Sequence, residues 1–332
     1  MTEPIDPTEP APPGLRLHHD HGLALAVSFQ GRPLFRYVYR PWDAQVESPR
    51  PYLHPVHTLG GDVVSLYRPH DHVWHKGVAW SLPNVGPENF WGGPTYSRGR
   101  GYEQLPNDGS MRHDGFERLE ATPDLVRVRH RLDWITQSGQ RWFQETRSFA
   151  VAVDAGVDAW VLAFATRMLN VSEHQIAIGS PTTQGRDNAG YGGLFWRGPR
   201  SFTGGRVYVP GAVGADDLMG VRAPWMGFSG RHDEHGRSST LVFVDAPDNP
   251  GHPTQWFVRS EMYACLCPAP FFSEEVAVAP NRALTLRYAV VVADGDRSSA
   301  GAELLAEAGL AALSTLDIAP VPIEVSVMEV SV

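Results

Sequence analysis

Apolar and polar residues alternate in segment after segment of this chain with almost no helical pattern between, and that alternation limits what it can fold into. From Leu125 to Trp134, Val126, Val128, His130, Leu132 and Trp134 fall on one side of an extended backbone, with Arg127, Arg129, Arg131 and Asp133 on the other, because successive strand side chains point to opposite faces. Similar β-rich runs occur at Leu23 to Phe29, Leu34 to Tyr39, Asp62 to Tyr67, Arg141 to Val151, Trp160 to Met168, Thr240 to Val244, Gln255 to Leu266 and Leu284 to Val292. Turn clusters such as Asn107-Asp108-Gly109, Gln137-Ser138-Gly139 and Asp154-Ala155-Gly156 separate them. The one persuasive helix is Ser299 to Ser314, rich in alanine, leucine and glutamate and opened by a serine cap. Many strands without interleaved helices must cover their apolar faces with another sheet, so the expected fold is all-β: a large two-sheet β-sandwich with a C-terminal helix.

The expected organisation is a disordered leader over 1–14, a sandwich domain over 15–297, and a helix and tail over 298–332. The leader is proline-rich and acidic, with neither the basic nor the apolar region of a signal peptide. A net charge of −9 without an arginine-rich run argues against a nucleic-acid partner. No apolar run reaches the roughly 18 residues that a membrane-spanning helix needs. Cys265 and Cys267 are the only cysteines, and their spacing in a strand is poor for a disulfide. These features predict a cytoplasmic protein with no membrane partner, and they leave its oligomeric state open.

Three constellations carry candidate chemistry. The first is a run of five histidines, His54, His57, His70, His72 and His75, beside Lys76, the only lysine. An imidazole there suits general acid or base work near neutral pH. A divalent metal held by His54, His70, His72 and His75 is the alternative; the favoured reading needs no metal or other cofactor. The second is polar residues on apolar strand faces. Glu145 and Arg147 share a face with Phe143 and Phe149, and Arg259 and Glu261 share one with Phe257 and Tyr263. Such groups either line a cleft or pair in the interior. The third is the segment from Thr182 to Gly198, whose glycines permit close approach while Arg186, Asn188 and Arg197 supply donors and Tyr191 and Trp196 supply flat apolar faces.

Together, the stretches Arg50 to Val56, Asp71 to Gly77, Asn188 to Arg197 and Trp256 to Glu261 resemble the bacterial family known as PmoA-like and labelled methane oxygenase. A methane monooxygenase subunit spans membranes, which nothing in this chain is fitted to do, so that label is set aside. Where the family pattern usually has an arginine, this chain has Lys76, which weakens any mechanism that depends on lysine. The resemblance implies a supersandwich like that of galactose mutarotases, with a carbohydrate bound on a concave sheet face.

The leading expectation is therefore a carbohydrate-active enzyme working by acid/base chemistry: epimerisation, mutarotation, β-elimination or glycosidic cleavage. His72 or His75 is the expected acid/base, with Glu261 or Glu145 as its carboxylate partner. His54, His70, Lys76, Arg186, Asn188, Tyr191, Arg197 and Arg259 are the expected substrate-binding residues. A non-catalytic sugar sensor and a metal-dependent hydrolase or lyase are the competing readings.

Overall fold

A computed structural model describes residues 13–316. The expected leader, apart from Pro13 and Gly14, and the tail beyond Leu316 lie outside that range. Two large antiparallel sheets face one another. The first has eleven strands, and its main path runs from Leu15–Asp20 through Ala24–Phe29, Arg32–Val38, Tyr52–Val56, Val78–Val85, Gly193–Arg197 and Cys265–Ala269 to Gln255–Arg259. The second has nine. It runs from Ala212–Gly214 through Arg206–Val209, Trp225–Arg231, Ser238–Asp245, Ala283–Asp294, Ala159–Asn170, Arg141–Asp154 and Val126–Ile135 to an edge at Ser110–Ala121.

The alternation seen in the sequence is what joins the sheets. Val126, Val128, His130, Leu132 and Trp134 are all buried, while the arginines between them are not. Trp80, Trp134, Trp160, Trp196 and Trp256 lie fully inside the sandwich, and burial of large apolar side chains contributes about 1.5–3 kcal/mol each. The helix Ser299–Ala312 begins where Ser298 Oγ accepts from the Gly301 N–H. Its Ala302, Leu305 and Ala306 pack with Val161, Val244 and Val291 of the nine-stranded sheet.

Two expected strands differ. Asp62 to Tyr67 builds no ladder: Val64 N–H goes to Val56 O and Leu66 N–H to Arg197 O, so its bonds are shared between separate neighbours. The Gln255 to Leu266 run is a hairpin of Gln255–Arg259 and Cys265–Ala269. Asp216 Oδ1 accepts the N–H groups of Ser260 and Glu261 at 2.5 and 3.2 Å, fastening the chain where it leaves the first strand.

Candidate functional site

Strand alternation also builds the site. Gly193–Arg197 gives Leu194 and Trp196 to the inter-sheet core, and Phe195 to a separate apolar cluster with Phe257, Cys265 and Cys267 on the sheet's other face. Gly193 is required here: its φ is +147°, and a Cβ would stand 2.0 Å from Pro268 O. Against this cluster lies a cavity of about 280 Å³, walled by Trp74, Trp91, Tyr191, Phe195, Phe257 and Tyr263. His72, His75, Arg186 and Arg259 supply its imidazole and cationic groups, and among the described residues no aspartate or glutamate lines it.

Two successive turns, His72 N–H to Pro69 O and His75 N–H to His72 O, bring the two imidazoles together. Their rings stack with centroids 4.7 Å apart and 17° between planes. His72 Nδ1 is 3.1 Å from Asp71 Oδ2 but lacks hydrogen-bond alignment with it. Burial lowers the His72 pKa, and Asp71 opposes that shift. Against the upward push of burial, His72, its own backbone N–H, Arg197 and Arg200 hold Asp71 down at about 2. His75 Nδ1 accepts from Arg197 Nη1 at 3.2 Å; its pKa is driven far down by burial, then by His72 and Arg197. Both rings are thus neutral at pH 7.

Arg197 stands one layer behind the wall. It is fully buried, lies 3.8 Å from the centroid of the Tyr263 ring, and leaves Nε and Nη2 without hydrogen-bond partners among the described residues. Arg259 and Arg186 reach the cavity itself. Arg259 pairs with Asp216 at 3.2 Å, and Arg186 donates to Tyr102 Oη, which also bonds Tyr191 Oη.

The structure thus gathers His72, His75, Arg186, Tyr191 and Arg259, and separates other expected site residues from them. Glu145 is inside the sandwich, bound by Arg147, Trp134 Nε1 and Thr166 Oγ1; it is a core ion pair, not a partner of the histidines. Glu261 sits in the hairpin connection with an exposed side chain and does not line the cavity. Lys76 is also a correction. Its ammonium is buried between Asp43, at 2.9 Å, and Glu47, 4.9 Å from the centroid of the Tyr67 ring, and burial lowers its pKa against those carboxylates.

His54 bonds Ser65 Oγ and stacks on Tyr67, with its pKa pushed to about 4 by burial and then by His57. His70 is exposed and accepts from Arg200. Asn188 has an exposed side chain and offers its backbone oxygen to Arg259. Trp196 belongs to the core, its Nε1 donating to Val64 O. The four histidines of the alternative metal set therefore do not converge, and among the described residues no three His, Cys, Asp or Glu side chains are grouped to hold an ion.

Sequence reasoning passed over Trp74, Trp91, Tyr102 and Phe195 as wall residues. Their only signal was aromatic residues close to the glycine-rich stretches Trp91-Gly92-Gly93 and Tyr191-Gly192-Gly193.

Comparison with curated proteins finds no match. Among solved structures, the GH36 α-galactosidase AgaB of Geobacillus stearothermophilus is similar at 11% identity and a TM-score of 0.42, over 86% of this chain and 42% of that one. An AgaA variant from the same organism, in complex with raffinose, matches at 10% identity and a TM-score of 0.40, over 88% and 42%. This chain spans less than half of either protein, and likeness at that level carries no functional argument. The comparisons give no support for PmoA-like membership. A family model does match residues 24–307, and the chain belongs to that family, the family of unknown function DUF6807.

Proposed function

We propose that the cavity binds a sugar or oxidised sugar and that His72 moves a proton at a carbon beside a carbonyl or carboxylate, the step common to epimerisation and β-elimination. The observation that carries this reading is a neutral imidazole lining one cavity with two arginines and a wall of aromatic rings, with no carboxylate among the described residues of that lining. Aromatic faces accept the C–H face of a sugar, while Arg186 and Arg259 donate to its hydroxyls and to the oxygen where negative charge develops. His72 Nδ1 is turned to Asp71, which leaves Nε2 as the base. Tyr263, whose phenol is pushed up by burial, stays protonated and is the acid that returns a proton or assists a leaving group. His75 and Arg197 are positioning residues that hold the His72 ring. Glycosidic cleavage by paired carboxylates fits less well, because such a pair must flank the bond.

The test is solvent exchange. Incubating the protein in D2O with aldoses, uronates and keto-sugars should remove the proton NMR signal of the carbon beside the carbonyl. Saturable binding across the panel without any exchange favours a sugar sensor instead.

The pH profile has a defined sign. His72 must be neutral to act as a base, so kcat/KM should be level above its pKa and fall about tenfold per unit below it. That pKa is lowered from 6.5, which puts the fall below pH 6.5. A rate that declines as pH rises from 5 to 7 would rule out His72 as the base. Proton transfer by His72 and Tyr263 needs no metal, so exchange should survive dialysis against a chelator; a loss that a divalent ion restores would show that a metal takes part.

A further inference from the structure

The loop that carries His72, Trp74 and His75 is closed at its neck. Arg68 N–H donates to His75 O at 2.9 Å and Gly77 N–H to Leu66 O at 3.0 Å, so the chain enters and leaves the loop side by side. Both ends turn through left-handed backbone, with φ of +47° at Arg68 and +63° at Gly77. Glycine has no Cβ and adopts that conformation freely; at 77 a Cβ would stand 2.2 Å from Leu53 O. Arginine does not, because its Cβ crowds the following carbonyl. Arg68 is therefore held against its own preference.

What holds it is Glu47. Arg68 Nη2 and Nε donate to Glu47 Oε1 and Oε2 at 2.7 and 2.9 Å, a two-pronged fork that fixes orientation as well as charge. Lys76, at the far end of the loop, donates to the same Oε2, so one carboxylate grips both ends. Glu47 is itself fixed. Its side chain is buried, and the buried Arg50 takes the Glu47 and Ser48 carbonyls with Nη1, each at 2.9 Å, and Trp74 O with Nη2 at 2.7 Å. Burial pushes the Glu47 carboxyl up, but hydrogen bonds from Arg68 and Lys76 more than reverse this and leave it ionised.

His72 is the part of the loop that depends most on its backbone. Trp74 is pinned through its carbonyl by Arg50 and His75 through its ring by Arg197, whereas His72 Nδ1 has no aligned hydrogen bond among the described residues. The turn that presents His72 starts at Pro69, directly after Arg68. We propose that Arg68 is a positioning residue: gripped by Glu47, it keeps the loop entry in the left-handed conformation that sets the His72 imidazole in the cavity wall, an inference that rests on His72 being the base proposed above. Arg68 does not line the cavity, so it acts only through the loop. Lys76 secures the other end, a role for the lone lysine that needs no amine chemistry.

Two variants separate the grip from the strain. Arg68→Gln loses the fork and keeps the strain, while Arg68→Asn is too short to bridge to Glu47 but accepts left-handed backbone. The Arg68 side chain is exposed, and in both variants Glu47 stays paired with Lys76, so the fold should hold. Imidazole NMR titration follows His72 without any substrate. Its pKa is held below 6.5 by burial first, with Arg197 and Arg200 adding to that and Asp71 opposing. In Arg68→Gln it should climb towards 6.5 as the ring leaves its half-buried place; in Arg68→Asn it should stay near the parent value. With a sugar that exchanges, kcat should fall about 10–100-fold in Arg68→Gln at little-changed KM, and Arg68→Asn should recover most of the rate. A His72 that titrates in Arg68→Gln as it does in the parent overturns the positioning role. So does an Arg68→Asn variant disturbed as much as Arg68→Gln, since the strain would then be irrelevant. A parent protein that exchanges no sugar removes His72 as the base, and the titration still decides whether Arg68 places the ring.

Discussion

Replacing His72 by glutamine should slow deuterium exchange by about 10²–10⁴-fold, the usual contribution of a positioned general base, while leaving sugar affinity and thermal stability near the parent values. His72 is only half-buried, and its Nδ1 makes no aligned hydrogen bond, so little folding energy depends on it. His75→Gln should behave differently. That ring is buried and takes the one hydrogen bond that Arg197 Nη1 makes to a side chain, so its loss should lower the unfolding midpoint as well as the rate. Equal stability losses with unchanged exchange in both variants would make the pair purely structural.

Glu145→Leu should be the most damaging single change, costing about 3–5 kcal/mol because it strands a buried guanidinium. Trp134 Nε1 and Thr166 Oγ1 lose their acceptor in the same step. The double variant Glu145→Leu, Arg147→Met should recover much of that loss, since it removes both charges and not one. Urea midpoints of the two variants measure the difference. The double variant should also keep its exchange activity, because neither residue lines the cavity. An inactive but well-folded double variant would return Glu145 to the mechanism.

The contrast between Glu145 and Arg259 explains how far the sequence could be read. Alternation told which residues share a face, and Val126 to Trp134 folded as that pattern required. It could not tell an inward face from a site-bearing one, because around Gly193–Arg197 both are apolar: Leu194 and Trp196 inside, Phe195 outside. Phe143, Glu145 and Arg147 therefore looked just like a cleft wall. Glu261 was misplaced for another reason. Period 2 holds only as far as Arg259, because the Asp216 carboxylate takes the next two N–H groups and the strand ends there. The histidine run was legible as a cluster, but its division was not, since His75 and Lys76 are adjacent yet join different neighbourhoods.

The enclosed position of Lys76 has a practical consequence. With one lysine in the chain, and that side chain wholly covered beside Asp43 and Glu47, acylating reagents have no side-chain amine to attack while the fold is intact. Modification must wait until the Asp43–Glu47 cradle opens. Its rate at a single residue, followed by mass spectrometry over a range of denaturant, reads the free energy of that opening directly, so the protein carries its own one-site footprinting probe.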